Sequence, residues 1–229
     1  MNNNFKEAFE KTKIAGSIAA GALNEVSKII KPGISTAEID KICYEYISDN
    51  KAYSAPLFYR GFPKSCCTST NHVVCHGIPS DKVLKEGDIV NVDVTAFKDG
   101  WHGDTSRMFK IGEVSIKAEK LINVTYESMM KAISIIKDGI HLGDIGSIIQ
   151  KNVEAEGFSV VQDFCGHGIG QVFHKEPNVL HYGEKGTGKK ISEGMIFTIE
   201  PMINIGSYEI KTLNDGWTAV TKDKSLSAQ

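Results

Sequence analysis

The chain has 229 residues, 41% of them apolar, enough to fill one large domain or two fused halves. Its 26 Lys and Arg against 28 Asp and Glu leave a net charge of −2 and a pI near 6.4, which argues against a nucleic-acid or anionic-membrane surface. Five cysteines (Cys43, Cys66, Cys67, Cys75, Cys165) form an odd set with no C-x-x-C pair, and the opening M-N-N-N-F-K-E carries no apolar leader. With no apolar run near the roughly 20 residues of a bilayer span, the expectation is a cytoplasmic protein with reduced thiols and no membrane partner.

Phe5 to Ile30 predicts a long helix, with apolar positions at Phe5, Phe9, Ile14, Ile18, Leu23, Val26 and Ile30, stopping at Lys31-Pro32-Gly33. Ser35-Thr36-Ala37-Glu38 is a capping box, and the helix it opens carries Ile39, Ile42, Cys43, Tyr46 and Ile47 on one face. Residues 51–80, richer in Gly, Pro, Ser and aromatics, read as short strands and loops. Ile89 to Thr95 then alternates, with Val90, Val92 and Val94 on one face and Ile89, Asn91, Asp93 and Thr95 on the other, the period of a half-buried strand. Asp99-Gly100 is a type I′ hairpin signal. A turn there pairs Lys98 with Trp101 and Asp93 with Ser106, making Asp104 the diagonal neighbour of Asp93 at roughly 7–8 Å. Two carboxylates so placed can share a cation; without one they repel.

The pattern then repeats. Helix-like sequence runs from about Ala118 to Ile136, breaks at Lys137-Asp138-Gly139 and resumes to Gly157. I-I-K-P-G-I around Gly33 matches I-I-K-D-G-I around Gly139, and V-C-H-G-I-P around His76 matches V-F-H-K-E-P around His174. Glu86 to Asp93 matches Glu193 to Glu200, and Asp99-Gly100-Trp101 has an echo in Asp215-Gly216-Trp217. Four matches in one order predict a single domain over 1–229 made of two homologous halves, roughly 1–112 and 113–229. Each half has two helices followed by antiparallel strands, so the class is α+β with the helices on one face of the sheet. A site is expected between the halves, where the strands carrying Asp93 and Glu200 face each other.

Asp93, Asp104, His167 (set among glycines in Gly166–Gly170) and Glu200 form an oxygen-rich donor set. It suits Mn²⁺, Fe²⁺, Co²⁺ or Zn²⁺. His76 and His174, at equivalent repeat positions, suit hydrogen bonding to a substrate carbonyl or a tetrahedral intermediate. A Cys75–His76 dyad is disfavoured because strand neighbours point to opposite faces, and Gly166–Gly170 lacks the G-K-[ST] of a phosphate loop.

V-C-H-G-I-P, V-D-V-T, H-G-D-T-S, C-G-H-G-I-G, F-H-K-E-P, T-I-E-P-M and D-G-W-T together resemble the type I methionine aminopeptidases of bacteria across nearly the whole chain. The resemblance implies the pita-bread fold, two pseudo-symmetric halves around a curved antiparallel sheet. It also implies removal of N-terminal methionine from nascent chains with a small second residue, by attack of metal-activated water on the first peptide bond. Asp93, Asp104, His167 and Glu200 would hold two divalent ions, and His76 and His174 would contact the substrate, with Glu200 shuttling the proton. Tyr59, Phe62, Cys67, Phe173 and Trp217 would line the methionine pocket; Phe62 stands where the family more often has Tyr. In the family, S-L-S-A-Q is followed by an aromatic residue and then a glutamate that bridges both ions. The sequence stops at Gln229, so the second ion depends on whether the protein continues. A monomer with possible ribosome association is expected. A proline-specific peptidase and a non-catalytic binding module of the same fold are the competing readings.

Overall fold

The computed structural model describes residues 3–229. Helices α1 (Asn3–Ile29) and α2 (Thr36–Asp49) lead into β1 (Tyr53–Ser54), β2 (Cys67–Thr70), β3 (Val73–Cys75) and the long hairpin β4 (Ile89–Lys98) and β5 (Trp101–Lys110). Helices α3 (Ile116–Ser134) and α4 (Leu142–Ala155) follow, then β6 (Ser159–Val160), β7 (Gly166–Gly168), β8 (Lys175–Val179), β9 (Ile203–Asn204), β10 (Ile210–Thr212), β11 (Ala219–Thr221) and β12 (Ser227–Ala228). No described helix is long and apolar enough to cross a membrane.

The capping box forms: the Ser35 amide donates to Glu38 Oε2 at 2.8 Å while the Glu38 amide donates to Ser35 Oγ at 3.2 Å. The buried face of α1 matches the expected stripe at Ile18, Leu23 and Val26 and departs from it towards the N-terminus. Phe5, Phe9 and Ile14 are exposed, and Ala15, Ile18, Ala19, Ala22, Leu23 and Val26 do the packing. Small residues are selected because α1 lies directly on β5. A Cβ at Gly103 would overlap the backbone of Ala15 and Gly16.

The β4–β5 register is as expected, with Lys98 opposite Trp101, Asp93 opposite Ser106 and Thr95 opposite Asp104. Asp99 and Gly100 both take positive φ, 48° and 85°, as a type I′ turn requires. The half-buried reading of β4 needs correction, because β4 is central and buried on both faces. It pairs with β5 on one edge and with β1 and β2 on the other. Val90, Val92 and Val94 enter a core with α1 and α2, while Ile89 enters the core of α3 and α4. The polar residues between are enclosed too; Asn91 and Thr95 are each 2% exposed.

The strand expected at Ile196–Glu200 is another correction. Only single-bridge pairing to β7 is present, with the Ile169 amide on Ile196 O and the Thr198 amide on His167 O. The ladder ends there because the Glu200 amide turns instead to a side chain, His181 Nε2, and Pro201 has no amide hydrogen. The halves are stitched together by β3 pairing with β11, over a small core of Val74, Cys75, Val161, Met202 and Ala219.

Candidate metal centre and substrate cavity

Between the halves lies a cavity of about 350 Å³. It is lined by all eleven residues singled out in the sequence: Asp93, Asp104, His167, Glu200, His76, His174, Tyr59, Phe62, Cys67, Phe173 and Trp217. The hairpin supplies Asp93 and Asp104, β7 supplies His167, and the extended segment after Met195 supplies Glu200. Cys67 enters because it is the β2 partner of Asp93.

His167 Nε2 stands 3.6 Å from Asp104 Oδ2 and 3.5 Å from Glu200 Oε1. Thr198 ties this group together: its hydroxyl accepts from the His167 amide at 2.9 Å and donates to Glu200 Oε1 at 2.6 Å. Burial pushes the Asp93 carboxyl well up, helped by the charges of Asp104 and Glu200. Burial and then Asp104 raise Glu200 to about 7, against the pull of Thr198 and His167. For His167, burial disfavours the charged ring, but the Asp104 and Glu200 carboxylates outweigh it and the net shift is upward. Three mutually repelling carboxylates around one imidazole make a donor set suited to a hard or borderline divalent cation. Ligands about 2.1 Å from a tetrahedral ion are roughly 3.4 Å apart, near the two separations found at His167. Among the described residues, no group of three or more His, Cys, Asp or Glu side chains is already placed to hold a metal ion, so the ligands must shift to bind one. Chemistry and spacing therefore fit a metal that draws its ligands in.

Two aromatic groups wall the cavity. Tyr59, Phe173 and His174 pack together, with the Phe173 and His174 rings 4.1 Å apart and His174 Nδ1 3.0 Å from the Tyr59 hydroxyl. Opposite, Phe62 meets Trp217 edge-on at 5.2 Å, and His76 meets Phe164 edge-on at 5.2 Å. Burial lowers the pKa of both histidines, that of His174 to about 4 with help from the charge of His167. Both rings are therefore neutral near pH 7 and able to donate one hydrogen bond each. His76 has φ 55° and sits beyond the end of β3, so it faces the cavity while Cys75 is buried in the seam core.

Sequence reasoning missed several members. Phe164 and Cys165, just before Gly166, line the cavity, as do Met202 from T-I-E-P-M, Thr95, Pro56 and Arg60. His102 is another. Its amide and Nδ1 both lie 2.8 Å from Gly170 O, and its ring stacks on Phe173, which steadies the segment that carries His174. Adjacency to the G-H-G-I-G motif is the one signal that pointed to Phe164 and Cys165.

The model of metallopeptidase family M24 matches residues 10–224. Methionine aminopeptidase of Escherichia coli (strain K12) is 56% identical over 225 residues, covering 97% of this chain and 85% of that protein. The crystal structure of methionine aminopeptidase from Rickettsia prowazekii superposes with a TM-score of 0.96 at 53% identity, covering 98% of this chain and 91% of that one. Prolidase from Pyrococcus furiosus, at 23% identity and a TM-score of 0.75, shares the fold; this chain spans 60% of it. The fold is thus the pita-bread α+β architecture, and the chain belongs to metallopeptidase family M24, among its methionine aminopeptidases.

Proposed function

We propose that the cavity between the halves removes N-terminal methionine from peptides and nascent chains, with Asp93, Asp104, His167 and Glu200 holding the metal. The observation that carries this is the junction of a carboxylate–imidazole group with an aromatic pocket that contains two neutral histidines. When bound, a divalent cation supplies Lewis acidity, making a water nucleophilic at neutral pH and polarising the peptide carbonyl. Co²⁺, Mn²⁺, Fe²⁺ and Zn²⁺ all suit these donors, and two ions are proposed.

Glu200, whose carboxylate is oriented by the Thr198 hydroxyl and faces the cavity, would take the proton released as the water attacks. His174, with Nδ1 engaged by Tyr59, offers Nε2 to the carbonyl oxygen, and His76 offers a second hydrogen bond as that oxygen gains charge. Phe62, Trp217, Tyr59, Phe173 and Cys67 receive the thioether side chain, since sulfur packs well against aromatic rings. Confinement beyond the scissile bond favours a small second residue by steric exclusion.

The test is release of free amino acid from Met-Ala-Ser, Leu-Ala-Ser and Ala-Pro with added Mn²⁺ or with EDTA. Manganese-dependent cleavage of Met-Ala-Ser, with Ala-Pro untouched, is expected. Cleavage of Ala-Pro in preference, or methionine release indifferent to EDTA, would contradict the reading.

A further inference from the structure

We propose that His181 is a positioning residue for Glu200, acting through the Glu200 backbone amide, an inference that rests on the functional reading of Glu200. His181 is 1% exposed and is not among the residues that line the cavity. Its reason for being a histidine is found in the backbone hydrogen bonds. Pairing between the Glu200 segment and β7 reaches the Thr198 amide and goes no further. Pro201 has no amide hydrogen, so the Glu200 amide is the last donor in the segment, and it donates to His181 Nε2 at 3.1 Å.

A neutral imidazole that accepts at Nε2 carries its proton on Nδ1. That Nδ1 is buried and makes no hydrogen bond among the described residues. Leaving a buried donor unpaired is unfavourable, so core packing alone would favour leucine here. Among the described residues, the one polar service the ring performs is for Glu200. Its seat is also rigid. Gly146 brings α4 against the carbonyls of Leu180 and Tyr182, where a Cβ would come within 2.7 Å of Leu180 O. Glu200 is therefore held at both ends, its carboxylate by the Thr198 hydroxyl and its backbone by His181.

The experiment compares wild type with His181→Leu, His181→Gln and His181→Asn. It measures kcat and KM for Met-Ala-Ser at saturating Mn²⁺, and Mn²⁺ affinity by calorimetry. The amide oxygen of Gln reaches the position of Nε2, whereas that of Asn stops near Nδ1. His181→Leu is expected to lose about 10- to 100-fold in kcat or Mn²⁺ affinity, with KM within about twofold. Gln should keep most of the function and Asn should resemble Leu. A folded His181→Leu with wild-type kcat and Mn²⁺ affinity would overturn the proposal. Should Leu not fold, Gln and Asn decide it: equal values for the two overturn it. A wild type that binds Mn²⁺ without cleaving the peptide sinks the peptidase reading, while the calorimetric comparison still decides the role of His181.

Discussion

Glu200 is the side chain on which burial, charge and hydrogen bonding act together. Burial and the Asp104 carboxylate raise its pKa from 4.5 to about 7. An acid raised in the folded state binds its proton more tightly there than when unfolded. Its contribution to stability is full below pH 4.5 and is lost as pH rises toward about 7. In EDTA, urea unfolding of the wild type should lose about 3 kcal/mol relative to Glu200→Gln between pH 4.5 and 8. A difference between the two proteins that stays constant with pH would contradict this. Asp93 and Asp104 were legible in the sequence because a two-residue turn dictates the hairpin register, and His167 because a histidine among glycines stands out. Thr198, His102 and His181 were not legible. His102 and His181 each bond a segment distant in sequence, and the Thr198 hydroxyl joins Glu200 to the distant His167 amide; no local spacing encodes these links.

At the scale of elements, α1 lies directly on β5 at the residue before Asp104. Gly103, next to it, lets the helix backbone touch the strand. Gly103→Ala should force the two apart and cost about 2–4 kcal/mol, read as a lowered Tm and urea midpoint. An unchanged Tm would show that the contact yields without cost. The same contact explains why the helix and its buried Ile18, Leu23 and Val26 were foreseen while the N-terminal part of its face was misjudged. Periodicity is weighted by large residues such as Phe5, Phe9 and Ile14, whereas close packing selects Ala15, Ala19 and Ala22. The alternation in Ile196–Glu200 likewise matched that of Ile89–Asp93. Alternation shows which side chains share a face and says nothing of which backbone pairs with it. β4 has neighbours on both edges, and the Glu200 segment has a single bridge.

At the scale of the whole molecule, the site exists because two similar halves meet. One core gathers α1, α2 and β4, the other gathers α3, α4 and the later strands, and a third, small one lies at the seam. The internal repeat made this division legible, since Gly33 with Gly139 and His76 with His174 recur in the same order. The first half brings Asp93, Asp104 and His76, and the second brings His167, His174 and Glu200. Neither half alone assembles a donor set with both neutral histidines. The most direct test of this account is calorimetric titration of Mn²⁺ into the wild type and into Asp104→Asn, with circular dichroism confirming that both are folded. The account predicts binding by the wild type and a loss of at least about 100-fold in affinity for Asp104→Asn. Equal affinity in the two proteins, or no binding by a folded wild type, would contradict it.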